Sequence, residues 1–310
     1  MAEKTFQPLS SPQKVRPSVQ FAKAMRRNDL VTSIRDNFTL TTWLLIGGLL
    51  QGIAITAFGS LALLPTAMAI AYRTADHLLM LAGWKKNRYA SEVLLTKFGA
   101  QMPSSDGTFG STPADRPVVV FIIGAKSNHP LGLFGPDYKK IGTSFEAMVA
   151  ELEASAEKSG FLGRSNWINR AEQEASNETM SVMYFRDYES LHRYAHGPLH
   201  MEAVKNWVKV VKRNPHIAIY HETYVVPKGN WENIYINSKP TGMSATSYPV
   251  RSGQGNGETV EWMSPIVDAS KGPLRVAARR LQMNHLRGYE EEKDDIWNKT
   301  YVEGYGTSRT

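Results

Sequence analysis

The hydrophobic pattern of the chain opens with an uncharged run of 36 residues, from Asn37 to Tyr72. A helix crosses the hydrocarbon core of a bilayer with about 20 apolar residues, so this run is too long for one straight span. Pro65 divides it, because a proline inside a helix removes one backbone hydrogen bond and clashes with the preceding turn. Basic residues flank both sides, which favours a membrane-associated helical hairpin at 37–98 with both ends facing the cytosol.

Two other arrangements fit the same run. The first is a single span that ends near Leu64 and continues as an interfacial helix through Trp84. The second is a buried pair of helices in a protein core. The membrane arrangements imply contact with lipid and a location on the cytosolic face of an internal membrane, such as the endoplasmic reticulum.

Farther along, the pattern changes to alternating strands and helices. An apolar, β-branched run predicts a buried strand at 117–127. Apolar residues three and four positions apart predict an amphipathic helix at 142–160, with Thr143 or Ser144 as its cap and Gly160 at its end.

A second strand at 178–187, a helix that Asp187 caps, and a third strand at 216–226 follow. The order strand, helix, strand, helix, strand predicts an α+β domain at 117–240 with its helices on one face of the sheet. Residues 161–177 are a weaker candidate for one more strand.

The segments outside this domain carry weaker patterns. Residues 99–116 are rich in glycine, proline and serine, which predicts a linker. Residues 241–310 are expected to form an extended tail with a short helix at 274–282. Residues 1–36 are expected to form a basic arm, whose cations are Lys4, Lys14, Arg16, Lys23, Arg26, Arg27 and Arg35.

Charge and composition narrow the class of function. The net charge is +7, but the excess of cations lies in the N-terminal arm beside the apolar run. This placement favours a membrane surface over nucleic acid, so we expect no nucleic-acid partner. The chain has no cysteine, which excludes disulfides, thiolate metal ligands and a cysteine nucleophile. It also lacks a dinucleotide-binding glycine fingerprint in a strand–turn–helix context and a phosphate-binding loop.

The most unusual polar stretch is "HRYAHGPLH" at 192–200, with three histidines at steps of four. On a continuous helix they would share one face, but Pro198 predicts a break at Gly197 and a new helix beginning with the proline. A continuous metal-binding stripe is therefore not expected, and we predict no protein-ligated metal. Histidine changes protonation near neutral pH, so this break is a candidate pocket wall.

Further candidates come from the predicted strands. The predicted catalytic histidines are His196, His200, His129 and His221. His221 shares a strand face with apolar residues, and burial without a partner lowers the proton affinity of an imidazole. The predicted substrate-binding residues are Asn128, His192, Tyr184, Trp207 and Tyr220.

Several blocks, in fixed order, resemble a fungal family typified by the fumagillin-pathway monooxygenase. They are "GAKSNHPLG" (124–132), "FLGRSNW" (161–167), "VMYFRDYESLHRYAHGPLH" (182–200), "NPHIAIYHETYVVPKGNWENIYIN" (214–237) and "KPTGM" (239–243). The resemblance covers roughly 115–275. That family is grouped with the antibiotic-biosynthesis-monooxygenase type of dimeric α/β barrel. It implies a ferredoxin-like β-α-β-β-α-β unit, which supplies the missing strand, and a homodimer.

The resemblance also implies a function. We expect a membrane-attached monooxygenase-like enzyme that oxidises an apolar secondary-metabolite intermediate, a terpenoid or polyketide, without a tightly bound cofactor. One alternative is a haem-binding dimeric α/β-barrel enzyme of the dehydratase or peroxidase type, in which a helix histidine binds the haem. Another is a non-enzymatic module that binds lipid or scaffolds other enzymes.

Overall fold

The computed structural model describes residues 5–17, 31, 34–169, 178–252 and 259–282. Within these ranges the strands are β1 (Leu94–Ala100), β2 (Val118–Ser127), β3 (Phe161–Ile168), β4 (Thr179–Phe185), β5 (Ile217–Val226), β6 (Tyr235–Ser238), β7 (Tyr248–Ser252), β8 (Thr259–Met263) and β9 (Ile266–Asp268). The α-helices are α1 (Leu40–Phe58), α2 (Leu64–Leu81), α3 (Tyr138–Ala154), α4 (Ala156–Ser159), α5 (Tyr188–Ala195), α6 (Pro198–Val211) and α7 (Ala277–Arg280).

The central domain is a four-stranded sheet in the order β3-β4-β2-β5. All neighbouring strands are antiparallel. With α3 and α4 between β2 and β3, and α5 and α6 between β4 and β5, this is the ferredoxin-like β-α-β-β-α-β order. The α+β class is confirmed, and β3 is the strand for which the periodic pattern gave only a weak signal.

The local signals explain where the helices begin and end. The side chain of Asp187 accepts a hydrogen bond from the Ser190 backbone N–H at 2.7 Å, so it caps α5 as predicted. Gly160 ends α4 in the left-handed conformation, also as predicted. The start of α3 differs from the prediction. It begins at Tyr138, and Thr143 lies inside the helix, where its hydroxyl donates to the Lys139 carbonyl.

The sheet has two faces with different coverings. Helices α3 and α5 cover one face over a core that includes Val119, Leu152 and Phe185. The opposite face is covered at one end by a second lobe, where Val118 and Leu162 pack with Met243. We call the first side the helix face and the second the open face.

The second lobe differs from the expected linker and tail. Strand β1 lies between β6 and β9, so the chain that follows the hairpin pairs with the C-terminal region. Residues 99–116, expected to be a linker, contribute Ala100, Met102 and Phe109 to buried clusters. The predicted tail supplies β7, β8 and β9, and its predicted helix is reduced to α7.

The described part of the N-terminal arm also packs on this lobe. Phe6 is buried, and Arg16 is buried in an ion pair with Glu153 while its Nη2 donates to the Phe161 carbonyl at 2.9 Å. Arg16 is therefore not available to a membrane surface, unlike the exposed Lys14. Lys4, Lys23, Arg26 and Arg27 lie outside the described residues.

The uncharged run forms α1 and α2, which are joined by a short 3-10 helix at Gly59–Leu63. Residues Leu40–Leu81 have a mean hydropathy of 1.9 in their most apolar window, long and apolar enough to cross a membrane, and none of that window is buried. The buried-pair alternative is therefore wrong.

The two helices fold back on each other. The Gln51 side chain donates to the Ala62 carbonyl at 3.0 Å and accepts from the Thr66 hydroxyl at 3.0 Å. In a straight helix residues 51 and 62 would be about 16 Å apart along the axis. The contacts therefore indicate a hairpin whose turn begins at Gly59, which has a positive φ of 62°.

Candidate active site on the helix face

The helix face of the sheet carries two rows of side chains that the strand register defines. Residues paired across antiparallel strands point to the same face. One row runs from Arg164 through Met183 and Phe121 to Thr223. The next row is Asn166, Ser181, Ile123 and His221. Polar groups therefore lie at both sides of an apolar centre.

His200 approaches these rows from α6. Its ring is half-buried, and its Nδ1 is buried without a hydrogen-bond partner among the described residues. Burial lowers the pKa of His200; the Ala195 backbone raises it by less than burial lowers it, and the neighbouring His196 and His221 add smaller lowering effects. The imidazole is therefore neutral at neutral pH and can accept a proton.

The predicted break in the helix places this histidine. Helix α5 ends at Ala195, His196 follows it, and α6 begins with Pro198 in its first turn. His192 and His196 lie side by side on the preceding helix end, with ring centroids 4.1 Å apart. Both are exposed, and His196 Nδ1 contacts the His192 carbonyl at 2.9 Å. His200 is thus the member of the stretch that faces the protein.

Aromatic residues lie beside His200 and His221, but His221 is exposed, so the expectation that it is a buried imidazole is wrong. The Tyr194 ring lies 5.4 Å from the His200 ring, and the Phe121 ring lies 5.5 Å from the His221 ring. Burial raises the pKa of Tyr194, with a further contribution from Glu151, so its phenol stays protonated. Phe121, Ile123 and Tyr194 are each only partly buried against the core. The result is an apolar wall with a neutral base.

The far side of the same face holds a buried cation. Arg164 donates two hydrogen bonds to Glu146 of α3, at 3.1 and 3.0 Å, and its guanidinium lies 5.6 Å from the Phe145 ring centroid. Its Nε is buried without a hydrogen-bond partner among the described residues. Ser181 donates to Asn166 Oδ1 at 2.7 Å in the neighbouring row. These groups offer polar contacts to a bound molecule.

Helix α6 covers this face loosely. None of its side chains is buried; Trp207 is half-buried, and Val204 and Val208 are 38% and 60% exposed. His221 on β5 is exposed as well, so this edge of the helix face is accessible from solvent. We take the region around His200 and His221, between α6 and the sheet, as the candidate active site and call it the cleft.

His129 does not join the cleft. It follows the end of β2, and its ring lies 4.9 Å from that of His216, at the start of β5. Ile123, the β2 partner of His221, is six residues earlier, which is about 20 Å along a strand. Asn128 is exposed at the same end, where its backbone N–H donates to the His216 carbonyl at 2.7 Å. These two predicted residues therefore form a separate group.

Tyr184 and Tyr220 point to the open face, away from His200. Burial raises the pKa of Tyr184 to about 12, and it packs on the second-lobe core. Tyr220 crosses over Gly124, where an added Cβ would lie 2.3 Å from the ring, and its hydroxyl donates to Glu178 at 2.8 Å. The sequence placed these tyrosines near the site, but the strand alternation separates them from it.

The residues missed by sequence reasoning are those of the helix face. Phe145, Tyr194, Arg164 and Asn166 were not singled out, although "FLGRSNW" placed the last two in a conserved-order block. The signal for Arg164 and Asn166 was the alternation of β3, which the short apolar run concealed. Among the described residues, no group of three histidine, aspartate or glutamate side chains is arranged to hold a metal ion.

Comparison with known proteins identifies the family. The model of the family described as monooxygenase af470-like matches residues 118–243. A curated relative, monooxygenase af470 of Aspergillus fumigatus, is 31% identical over 248 residues, which span 79% of this chain and 88% of the relative. The chain belongs to the monooxygenase af470-like family. It is accordingly a member of a monooxygenase family, as the sequence blocks predicted.

Solved structures resemble this monooxygenase af470-like chain only with low TM-scores. Aldoxime dehydratase (OxdRE) in complex with butyraldoxime has a TM-score of 0.35 and 14% identity, covering 41% of this chain and 36% of its own. SnoaB, a cofactor-independent oxygenase from Streptomyces nogalater, has a TM-score of 0.24 and 13% identity, and the match covers 34% of this chain and 90% of SnoaB. The ferredoxin-like assignment of the chain comes from its own strand order.

Proposed function

We propose that this chain oxygenates an apolar secondary-metabolite intermediate, a terpenoid or polyketide with an acidic C–H group, using His200 as the base. The observation that carries the proposal is the environment of His200, which is half-buried and has a lowered pKa. Its Nδ1 has no hydrogen-bond partner among the described residues, and its ring faces His221 beside an apolar wall. A neutral imidazole in such a setting is suited to proton abstraction.

The chemistry balances without a bound cofactor. His200 takes a proton from the substrate carbon, and the resulting carbanion transfers its electrons to dioxygen. The hydroperoxide that forms then loses water, so that one CH2 group and one O2 become one carbonyl group and one H2O. The substrate carbon loses four electrons and dioxygen gains four, so no external reductant is needed. The protein contributes the base and the orientation of the substrate.

Isotope labelling of the product tests the reaction. The precursor that accumulates in a strain lacking this protein is incubated with the purified full chain under labelled dioxygen, without added flavin, nicotinamide or haem. We expect one labelled oxygen atom in the product and one in water. Turnover that begins only after a reductant and flavin are added, or a Soret band in the purified protein, would instead point to a cofactor-dependent reaction.

Membrane attachment is part of the proposal. It is supported by the exposed apolar side chains of α1 and α2 and by the aromatic and basic residues at the hairpin base. Arg73 and Asp76 lie within α2, so its uncharged part is only nine residues, Leu64–Tyr72, or about 14 Å long. A hairpin that dips into one leaflet fits this length. An apolar substrate that partitions into lipid would then be concentrated near the enzyme.

The proposal includes a homodimer in which a second copy covers the open face. Tyr224 of β5 is 50% exposed on that face, next to the half-buried Val120. We expect light scattering of the detergent-solubilised chain to give the mass of two copies, and Tyr224→Arg to shift it towards one. The matched control is Tyr188→Arg, at a residue that is 49% exposed on the helix layer. A single-copy mass for the unmodified chain would rule the dimer out.

A further inference from the structure

The loop between β2 and α3, residues 128–137, is fastened to the base of the apolar hairpin. Asn37 is 7% exposed; its Oδ1 accepts from the Leu133 N–H at 2.7 Å, and its Nδ2 donates to the Leu131 carbonyl at 3.4 Å. A Cβ at Gly132 would lie 2.0 Å from Asn37 Oδ1. This close fit holds the α+β domain and the hairpin together at one point.

Large apolar side chains project from both sides of this contact. Leu131 and Phe134 are 59% and 57% exposed in the loop. The Phe134 ring lies 6.1 Å from Phe38, which in turn lies 5.6 Å from Trp43 in the first turn of α1. Trp43 is the amphipathic member of this group, and such side chains at the end of an apolar helix are typical of the membrane–water interface. The apolar surface of the loop is thus continuous with the start of the hairpin.

Positively charged side chains outnumber negatively charged ones around this surface. The charged side chains on the flanking segments are Arg35, Lys139, Lys140, Arg213, Asp36 and Asp137. Asp36 pairs with Arg35 at 2.6 Å, and Asp137 pairs with Lys140 at 2.6 Å. Lys139 and Arg213 add positive charge beyond these pairs, and both are exposed. Acidic lipid headgroups attract such a rim.

We infer that Leu131, Phe134 and Phe38, the loop surface, dock into the headgroup region of a bilayer that contains acidic lipid. This inference rests on the proposed membrane attachment and extends it. A hairpin alone would tether the domain in any orientation, whereas the loop surface fixes one end of the sheet against the lipid. The group formed by His129 and His216 then faces the membrane.

Single cysteine residues test this orientation directly, because the full chain has no cysteine of its own. A fluorescent probe is attached at Leu131→Cys, Phe134→Cys, Leu50→Cys in α1 or Tyr188→Cys. Each chain is reconstituted into vesicles of phosphatidylcholine and phosphatidylserine that contain a spin-labelled quencher lipid. We expect several-fold stronger quenching at 131, 134 and 50 than at the control position 188. Replacing phosphatidylserine by phosphatidylcholine should weaken quenching at 131 and 134 several-fold and leave 50 unchanged.

Other outcomes overturn the inference in distinguishable ways. Quenching at 50 alone overturns loop docking and leaves hairpin attachment standing, whereas quenching at none of the three positions overturns both. A probe at 131 that is shielded in detergent without lipid indicates a protein contact, such as a second copy. Equal quenching in the two lipid mixtures overturns the requirement for acidic lipid. Turnover in detergent reports separately on the proposed reaction.

Discussion

Replacing His200 by glutamine is expected to lower turnover about a hundredfold, the usual effect of losing an acid–base group. Glutamine keeps a polar side chain of similar reach but cannot accept the substrate proton. His200 is only half-buried and its Nδ1 has no partner within the described residues, so the fold should tolerate the change. The measurement is single-turnover product formation with the accumulated precursor. The matched control is His216→Gln, a half-buried histidine in the separate group with His129, which should retain full activity.

The pH profile supplies a second readout for the same residue. Because burial lowers the pKa of His200 from its ordinary value of 6.5, the rate should rise with pH through a value below 6.5 and level off at neutral pH. His200 binds its proton more tightly in the unfolded chain than in the folded chain. The free energy of unfolding that the neutral imidazole contributes is therefore fully present above pH 6.5 and is lost as the pH falls. His200→Gln should lose both dependences. An unchanged rate and an unchanged profile would remove His200 from the mechanism.

Replacing Glu146 by alanine is expected to lower the free energy of unfolding by about 3 kcal/mol, because it leaves the Arg164 guanidinium buried without its carboxylate. Arg164 has a side-chain exposure of 4% and Glu146 one of 38%, so the cost lies at the low end of the range for buried pairs. Denaturant unfolding followed by far-ultraviolet circular dichroism measures it. The control is Glu157→Ala, an exposed carboxylate in α4, which should change stability very little.

A double substitution distinguishes the effect of losing the ion pair from the effect of losing packing contacts. Glu146→Ala combined with Arg164→Met removes the charge that Glu146 neutralises, and methionine fills a similar volume. Stability should then recover most of the loss seen in the single variant. If the double variant is less stable than Glu146→Ala by the full cost of a second deletion, Arg164 contributes through packing and not through its charge.

The sequence predicted the elements whose signals are local. Asp187, Gly160 and Pro198 act through backbone geometry within a few residues, and each ends or begins a helix where predicted. The face of His221 also followed from strand alternation. Its neighbours across the sheet did not, because the position of Arg164 depends on the register between β3 and β4, which shifts between Phe161 and Gly163.

The separation of His129 from His200 was also outside the reach of the sequence. His129 follows β2 and His200 lies in the first turn of α6, but the distance between them depends on how α6 packs across the sheet. The second lobe was not predicted for a similar reason, because its strands pair with residues that are distant in the sequence. Residues 94–98 belong to the predicted hairpin and 99–100 to the predicted linker, and only the distant β6 and β9 supply the hydrogen bonds that make these residues a strand.

The position of β1 between β6 and β9 has a consequence for biosynthesis. During translation, the apolar hairpin leaves the ribosome more than 150 residues before Ile266, the first residue of β9. The hairpin can therefore reach a membrane while β1, directly behind it, still has unpaired backbone groups on both edges. Such long-range pairings form slowly and expose strand edges to other chains meanwhile. A truncated chain that ends at residue 243 would keep the whole ferredoxin-like sheet yet leave one edge of β1 permanently open, so loss of the C-terminal strands should appear as aggregation.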